Sequence, residues 1–223
     1  MRFSILKTDK DNTQHLTVNP AEWLMEHIQA DTKARIIGKL RFHIAYNGDD
    51  GAFEQKTPIA MIHPSVEMKK TENGNLEIVA FNGLIALHVP NLLSQKDIDA
   101  VKEASMQLPM TFAAFTGADG RSVEVLVAVA KKGSDKWKGT SEQEMDAFCK
   151  MAYDQAVRSY SGLLPYPIEK QTVSARSSFR MTLDPSPYYE PKATPLIVQI
   201  ENLIGTSELI QFLMRFICRA APA

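Results

Sequence analysis

In VEVLVAVA (123–130) a valine stands at every second position, the period of a strand with one face on a core. LIALHV (84–89), PMTFAAFT (109–116) and SSFRMTLD (177–184) read as strands of comparable length. Between them the period lengthens. Ile98, Val101, Ser105 and Leu108 lie at helical spacing behind Ser94 and Asp97, which approximate a capping box. A longer helical stripe runs through Met145, Phe148, Cys149, Ala152, Ala156, Val157 and Tyr160, capped at Thr140 or Ser141. Pro165 and Pro167 end it, because proline cannot continue a helix. From residue 84 the order is strand, helix, strand, strand, helix, strand. That is the α+β ferredoxin-like βαββαβ pattern, shared with RNA-recognition-motif (RRM) folds. Such a sheet packs two helices on one face and leaves the other face open. Asn82–Gly83, between LEIVAF (76–81) and LIALHV, favours a type I′ hairpin that would add residues 76–81 as an edge strand.

The pattern is less regular at both ends. FSILKT (3–8) reads as a strand, and Asn19 with Pro20 opens a helix that puts Trp23, Leu24, His27 and Ile28 on one face. Residues 33–46 are basic and apolar by turns, 47–51 form a loop, 57–68 are extended and 69–75 make a solvated turn. Near the C-terminus Leu209, Ile210, Leu213, Met214, Phe216 and Ile217 make an apolar helix behind Ser207. It is too short to span a membrane, so it docks on the body or serves a partner. The division is 1–75 as an N-terminal α/β extension, 76–191 as the RRM-like core, and 192–223 as a linker and apolar helix.

Composition narrows the function classes. With 44% hydrophobic and 23% charged residues the chain is an ordinary globular domain, and its formal charge of −1 denies it a general attraction for polyanions. Any nucleic-acid binding must therefore rest on a local patch. Cys149 and Cys218 lie far apart with no metal or disulfide spacing, which fits a reducing cytoplasm. There is no GxxxxGK[ST], GxGxxG or HExxH, and the five histidines are scattered. The glycines of TGADGRS serve a turn between strands. Lys131, Lys132, Lys136 and Lys138 around Trp137 read either as a solvated loop or as a phosphate-attracting loop with a stacking ring. Arg176 and Arg180 flank the last strand and can pair with a carboxylate such as Asp184 or with a phosphate.

Four stretches in order, FNGLIALHV, AAFTGADGRSVEVLV, AYDQAVRSYSGLLPYPIE and FRMTLDPSPYYEPKATPL, resemble the VirE-type N-terminal domain of mobile-element proteins. That domain is regarded as a divergent branch of the archaeo-eukaryotic primases and often precedes a helicase-like ATPase domain. The resemblance spans roughly 30–198 and is most specific over 81–191. It implies a nucleotidyltransferase site in which carboxylates hold two divalent ions. The family pattern GLIxLDID stands here as GLIALHVP, so His88 and Pro90 occupy the carboxylate positions. Glu124 stands where a basic or histidine side chain would meet phosphate, with Arg121 as a compensating cation. Glu169 matches a third acidic position, and Arg176, Arg180 and Asp184 match the final motif. The resemblance therefore implies a primase-like scaffold without its metal ligands: no catalytic residue, and no cofactor unless a residual site takes magnesium or manganese. Nucleic acid or nucleotide, single-stranded nucleic acid among the partners, would meet Arg121, Arg176, Arg180, Lys131 and Lys132 across the open sheet face. A helicase-like ATPase domain, in the same or another chain, is the expected companion. The alternative is a non-catalytic interaction or regulatory module on the same scaffold.

Overall fold

The computed structural model describes residues 1–9, 11–30, 34–48, 53, 57–132 and 140–198. In chain order the elements are β1 (Arg2–Thr8), β2 (Gln14–Pro20), α1 (Ala21–Ala30), α2 (Ala34–Asn47), β3 (Met61–His63), β4 (Val66–Lys70), β5 (Leu76–Phe81), β6 (Leu84–Val89), α3 (Gln95–Met106), β7 (Thr111–Thr116), β8 (Val123–Lys131), α4 (Glu142–Ser161), β9 (Phe179–Arg180), β10 (Tyr188–Tyr189) and β11 (Leu196–Val198). The fold is mixed α+β. β8 is the axis of the main sheet and runs antiparallel to both β6 and β7. β10 extends the sheet beyond β7, and β11 pairs in parallel with the last residues of β8. A second sheet has the order β2-β1-β3-β9, and β4 with β5 forms a separate two-stranded hairpin.

Strand periodicity divides β8 as its sequence demands. Val123, Val125, Val127 and Val129 join Ile85, Leu87 and Val89 in a core shared with Ile98 and Val101 of α3 and with Phe148, Ala152, Ala156 and Tyr160 of α4. Both helices start where their sequences place the start. Ser94 with Asp97, and Ser141 with Glu144, form reciprocal capping boxes that satisfy backbone amides at each helix end. The other face of the sheet is also buried. Leu84, Phe112, Phe115 and Leu126 pack against Phe3, Ile5, Leu24, Ile28, Ile62 and Phe179 of the N-terminal sheet and α1. Each such side chain stabilises by about 1.5–3 kcal/mol when fully buried. The open face expected of this sheet is thus closed over most of its area.

Four further expectations change. β5 pairs with β4 and not with β6, so residues 76–81 are no edge strand of the main sheet. Asn82 does not take the positive φ that a type I′ turn requires of both central residues; Gly83 alone does, at 67°. Asn82 instead pins the crossing, its side-chain amide donating to the carbonyls of Arg2 (2.8 Å) and Pro64 (2.9 Å). Asn19 and Pro20 belong to β2, paired with Phe3 and Arg2, so they do not open α1. The strand expected over 177–184 shrinks to β9, which pairs with β3 in the other sheet. The C-terminal helix, Trp137 and the lysines at 136 and 138 lie outside the described residues. No described helix is long and apolar enough to cross a membrane.

Candidate functional site

β6 and β8 place His88 directly opposite Glu124, at the end of the sheet face that the N-terminal sheet leaves uncovered. His88 Nδ1 lies 2.8 Å from Glu124 Oε1. Burial disfavours the charged ring, but the Glu124 hydrogen bond and charge, with those of Glu169 and Asp119 behind them, raise the His88 pKa above 6.5. With Nδ1 taken by Glu124, Nε2 is the ring atom left for a ligand. A cleft of about 310 Å³ opens here, lined by His88, Asp119, Ser122, Glu124, Gln171, Ser177, Ser178 and Arg180 among others. The turn between β7 and β8 supplies one wall. Asp119 Oδ1 accepts from Ser122 Oγ (2.6 Å) and from the Arg121 amide (2.9 Å), which fixes the turn. β9 and the segment before it supply the opposite wall.

The residues expected at the site do not all meet. His88, Glu124 and Arg180 do. Glu169 comes close through its backbone, whose N–H donates to the His88 carbonyl at 2.9 Å. Arg121 is exposed on the turn and its side chain does not line the cleft. Arg176 is committed elsewhere: it forms a two-pronged pair with Glu142 on α4 (Nη2 to Oε2 3.0 Å) and donates to the Leu76 carbonyl at 3.0 Å. That pair raises the Arg176 pKa and lowers that of Glu142. Lys131 and Lys132 are exposed at the far end of β8. Seven residue steps along β8, roughly 23 Å at strand rise, separate Lys131 from Glu124. Asp119, Ser122, Gln171, Ser177 and Ser178 were not singled out in the sequence, because serines and a turn aspartate carry no pattern of their own.

Asp184 serves the fold. Its Oδ1 accepts from the Ser186 amide at 2.8 Å, the turn chemistry its place before proline implies. Its Oδ2 accepts from the Thr116 amide and hydroxyl (2.8 and 2.9 Å) and meets Lys102 Nζ at 3.0 Å. Burial raises its pKa, but these bonds and the lysine charge outweigh that and hold it below 3.8. Nearby Arg41 of α2 donates to the carbonyls of Gly117 (3.0 Å) and Leu183 (2.6 Å), tying α2 to the turn that walls the cleft. Gly120 of that turn has φ 72°, and a Cβ there would come within 2.8 Å of the Arg41 side chain.

A second cavity, about 290 Å³, lies between the N-terminal sheet and helices α1 and α2. Its walls are mainly apolar (Ile5, Trp23, Ile37, Ile59, Met181), and its rim groups Lys7 and His15 are both held by Asp9. Cys149 is buried on α4, and burial pushes its pKa up to about 12, which disfavours the reactive thiolate. Among the described residues no group of three or more His, Cys, Asp or Glu side chains is placed to hold a metal ion.

The family model described as the BT4734-like, N-terminal domain matches residues 54–189. The chain belongs to this family. The match takes in β6, β7, β8 and β10 of the main sheet, α3, α4 and every residue lining the polar cleft. No curated protein and no solved structure matches the chain.

Proposed function

We propose that this BT4734-like domain is a primase-like module, related to the VirE-type N-terminal domains, that binds a nucleotide or a nucleic-acid end without catalysing metal-dependent transfer. The finer topology belongs to the same reading. β6, α3, β7 and β8 follow the ferredoxin-like order, with β8 between β6 and β7, whereas β10, at the outer edge of β7, departs from the order that would put a fourth strand beside β6. The observation that carries the proposal is the polar cleft at the His88–Glu124 end of an otherwise closed sheet face. His88 Nε2, Arg180 and the serine hydroxyls offer donors for a phosphate. Asp119 and Glu124 can accept from sugar or base. The catalytic half of the proposal rests on residue type. His88 and Pro90 replace oxygen ligands, and Glu124, the nearest carboxylate, is engaged by His88. A cytoplasmic setting and a helicase-like ATPase companion are parts of the same proposal.

Calorimetric titration with a nucleoside triphosphate and with a short single-stranded oligonucleotide tests this, with and without manganese. Nucleoside triphosphate binding should persist without metal and weaken about tenfold or more in Arg180→Ala, as expected for loss of a charge-assisted bond. Labelled nucleotide should not be incorporated. No binding of either ligand at tens of micromolar protein would sink the proposal. One observation favours the interaction-module alternative: aromatic packing closes the sheet face that related readers of nucleic acid leave open. A protein partner co-purifying with the wild type but not with cleft variants, together with no ligand binding, would establish it.

A further inference from the structure

The sequence of α2 is ARIIGKLRFHIAYN, and it contains no acidic residue. Its inner side is accounted for: Ile37, Leu40 and Ile44 are buried, and Arg41 is anchored to the β7–β8 turn and the 182–183 segment. Its outer side is not. Arg35, Gly38, Lys39, Phe42 and Tyr46 follow a 3, 1, 3, 4 spacing, which brings them onto one stripe opposite the core. Phe42 is 74% exposed and Tyr46 82%, two large rings one helical turn apart with no fold role. Gly38 sits mid-stripe, where it costs about 1 kcal/mol against alanine. Among the described residues nothing lies within 4 Å of a Cβ built there, so no packing among them requires it. A shallow groove of about 630 Å³ runs along this stripe to Phe53. Cations, stackable rings and a bare stretch of helix backbone are what a sequence-tolerant binder of single strands combines.

We propose that the outer face of α2 is a platform for single-stranded nucleic acid, with bases stacked on Phe42 and Tyr46 and phosphates neutralised by Arg35 and Lys39. The charge balance favours a polyanion over a neutral apolar partner, since the helix carries Arg35 and Lys39 on this face and no acidic residue, in a chain of net charge −1. Gly38 lets the sugar–phosphate backbone approach the helix. This site is separate from the polar cleft and does not depend on it. Arg41 only holds the two adjacent, since the turn it anchors also walls the cleft.

Fluorescence anisotropy with the whole chain and a labelled oligothymidine of about 16 nucleotides at low salt tests the platform. The wild type should bind, and Phe42→Ala with Tyr46→Ala should weaken binding about tenfold or more. The exchange Phe42→Tyr with Tyr46→Phe keeps both rings and should keep the affinity. Arg35→Gln with Lys39→Gln should flatten the slope of log affinity against log salt by about 1.4, two phosphates at single-strand values. Phe42→Ala with Tyr46→Ala should leave the nucleoside triphosphate affinity of the cleft unchanged, which separates the two sites. The proposal is overturned if the wild type does not bind, if the alanine pair binds like the wild type with circular dichroism unaltered, or if the ring exchange loses binding as the alanine pair does. Self-association or protein capture through this face, with oligonucleotide affinity insensitive to all four substitutions, overturns it as well.

Discussion

Two residues show how context sets chemistry. His88 has a folded pKa raised above 6.5, so its pairing with Glu124 adds stability that is fully present below about pH 6.5 and is lost as pH rises through the raised value. Glu124→Gln removes the main counter-charge. We expect the His88 titration, followed by proton NMR, to move down, and phosphate-dependent ligand affinity to fall off at lower pH than in the wild type. Asp184 has the opposite sign. Its pKa is held below 3.8, so its contribution is present above about pH 3.8 and disappears as acid protonates the folded carboxylate. Lys102 and Asp184 are only 6% and 2% exposed. Removing one partner strands a buried charge, so Asp184→Ala should cost about 3–5 kcal/mol in urea denaturation. Lys102→Met with Asp184→Leu should recover part of that, giving a strong coupling in the double-mutant cycle. Of these roles, the sequence revealed only the turn bonds of Asp184, because a local rule governs them. Its pairing with Lys102 joins residues more than eighty positions apart, and no periodicity reports on that.

Among the elements, those with strong periods were legible: β7, β8, α3 and α4 lie where alternation, helical spacing and capping boxes put them. Strand partnership was not. Asn-Gly is a good hairpin signal, and two of the chain's three copies, at 73–74 and 82–83, fall between strands. The first does lie in the β4–β5 hairpin, where Gly74 takes φ 82°. At the second the chain crosses between sheets, held by Asn82 to β1's first residue and to Pro64. Gly83 still matters there. A Cβ would fall 2.8 Å from the Val129 carbonyl oxygen at a positive φ. Gly83→Ala should therefore lower the thermal midpoint by several degrees, consistent with a loss of about 1–2 kcal/mol. Asn82→Ala should also destabilise, through two unsatisfied backbone carbonyls, without altering β6 pairing in amide exchange.

For the molecule as a whole, the cleft exists because two sheets meet incompletely. The N-terminal sheet covers the apolar residues of β6, β7 and β8 but stops short of His88 and Glu124. His88, Glu124 and Arg180 were legible in the sequence only through family resemblance; their convergence needed the pairing of β9 with β3, which a two-residue strand does not advertise. The Lys102–Thr116–Asp184 cluster has a consequence for the order in which the chain matures. Thr116 and Lys102 are synthesised long before Asp184. Until residues 184–186 arrive, Lys102 of α3 has only the exposed Asp99, 3.9 Å away, as its counter-charge, and the Thr116 amide at the end of β7 lacks its acceptor, at positions that the finished protein buries. Burying them early is penalised, so the nascent core waits for the DPSP segment before it locks. A ribosome-bound chain stalled before residue 184 should stay protease-sensitive, and one stalled far enough on to expose Ser186 should not.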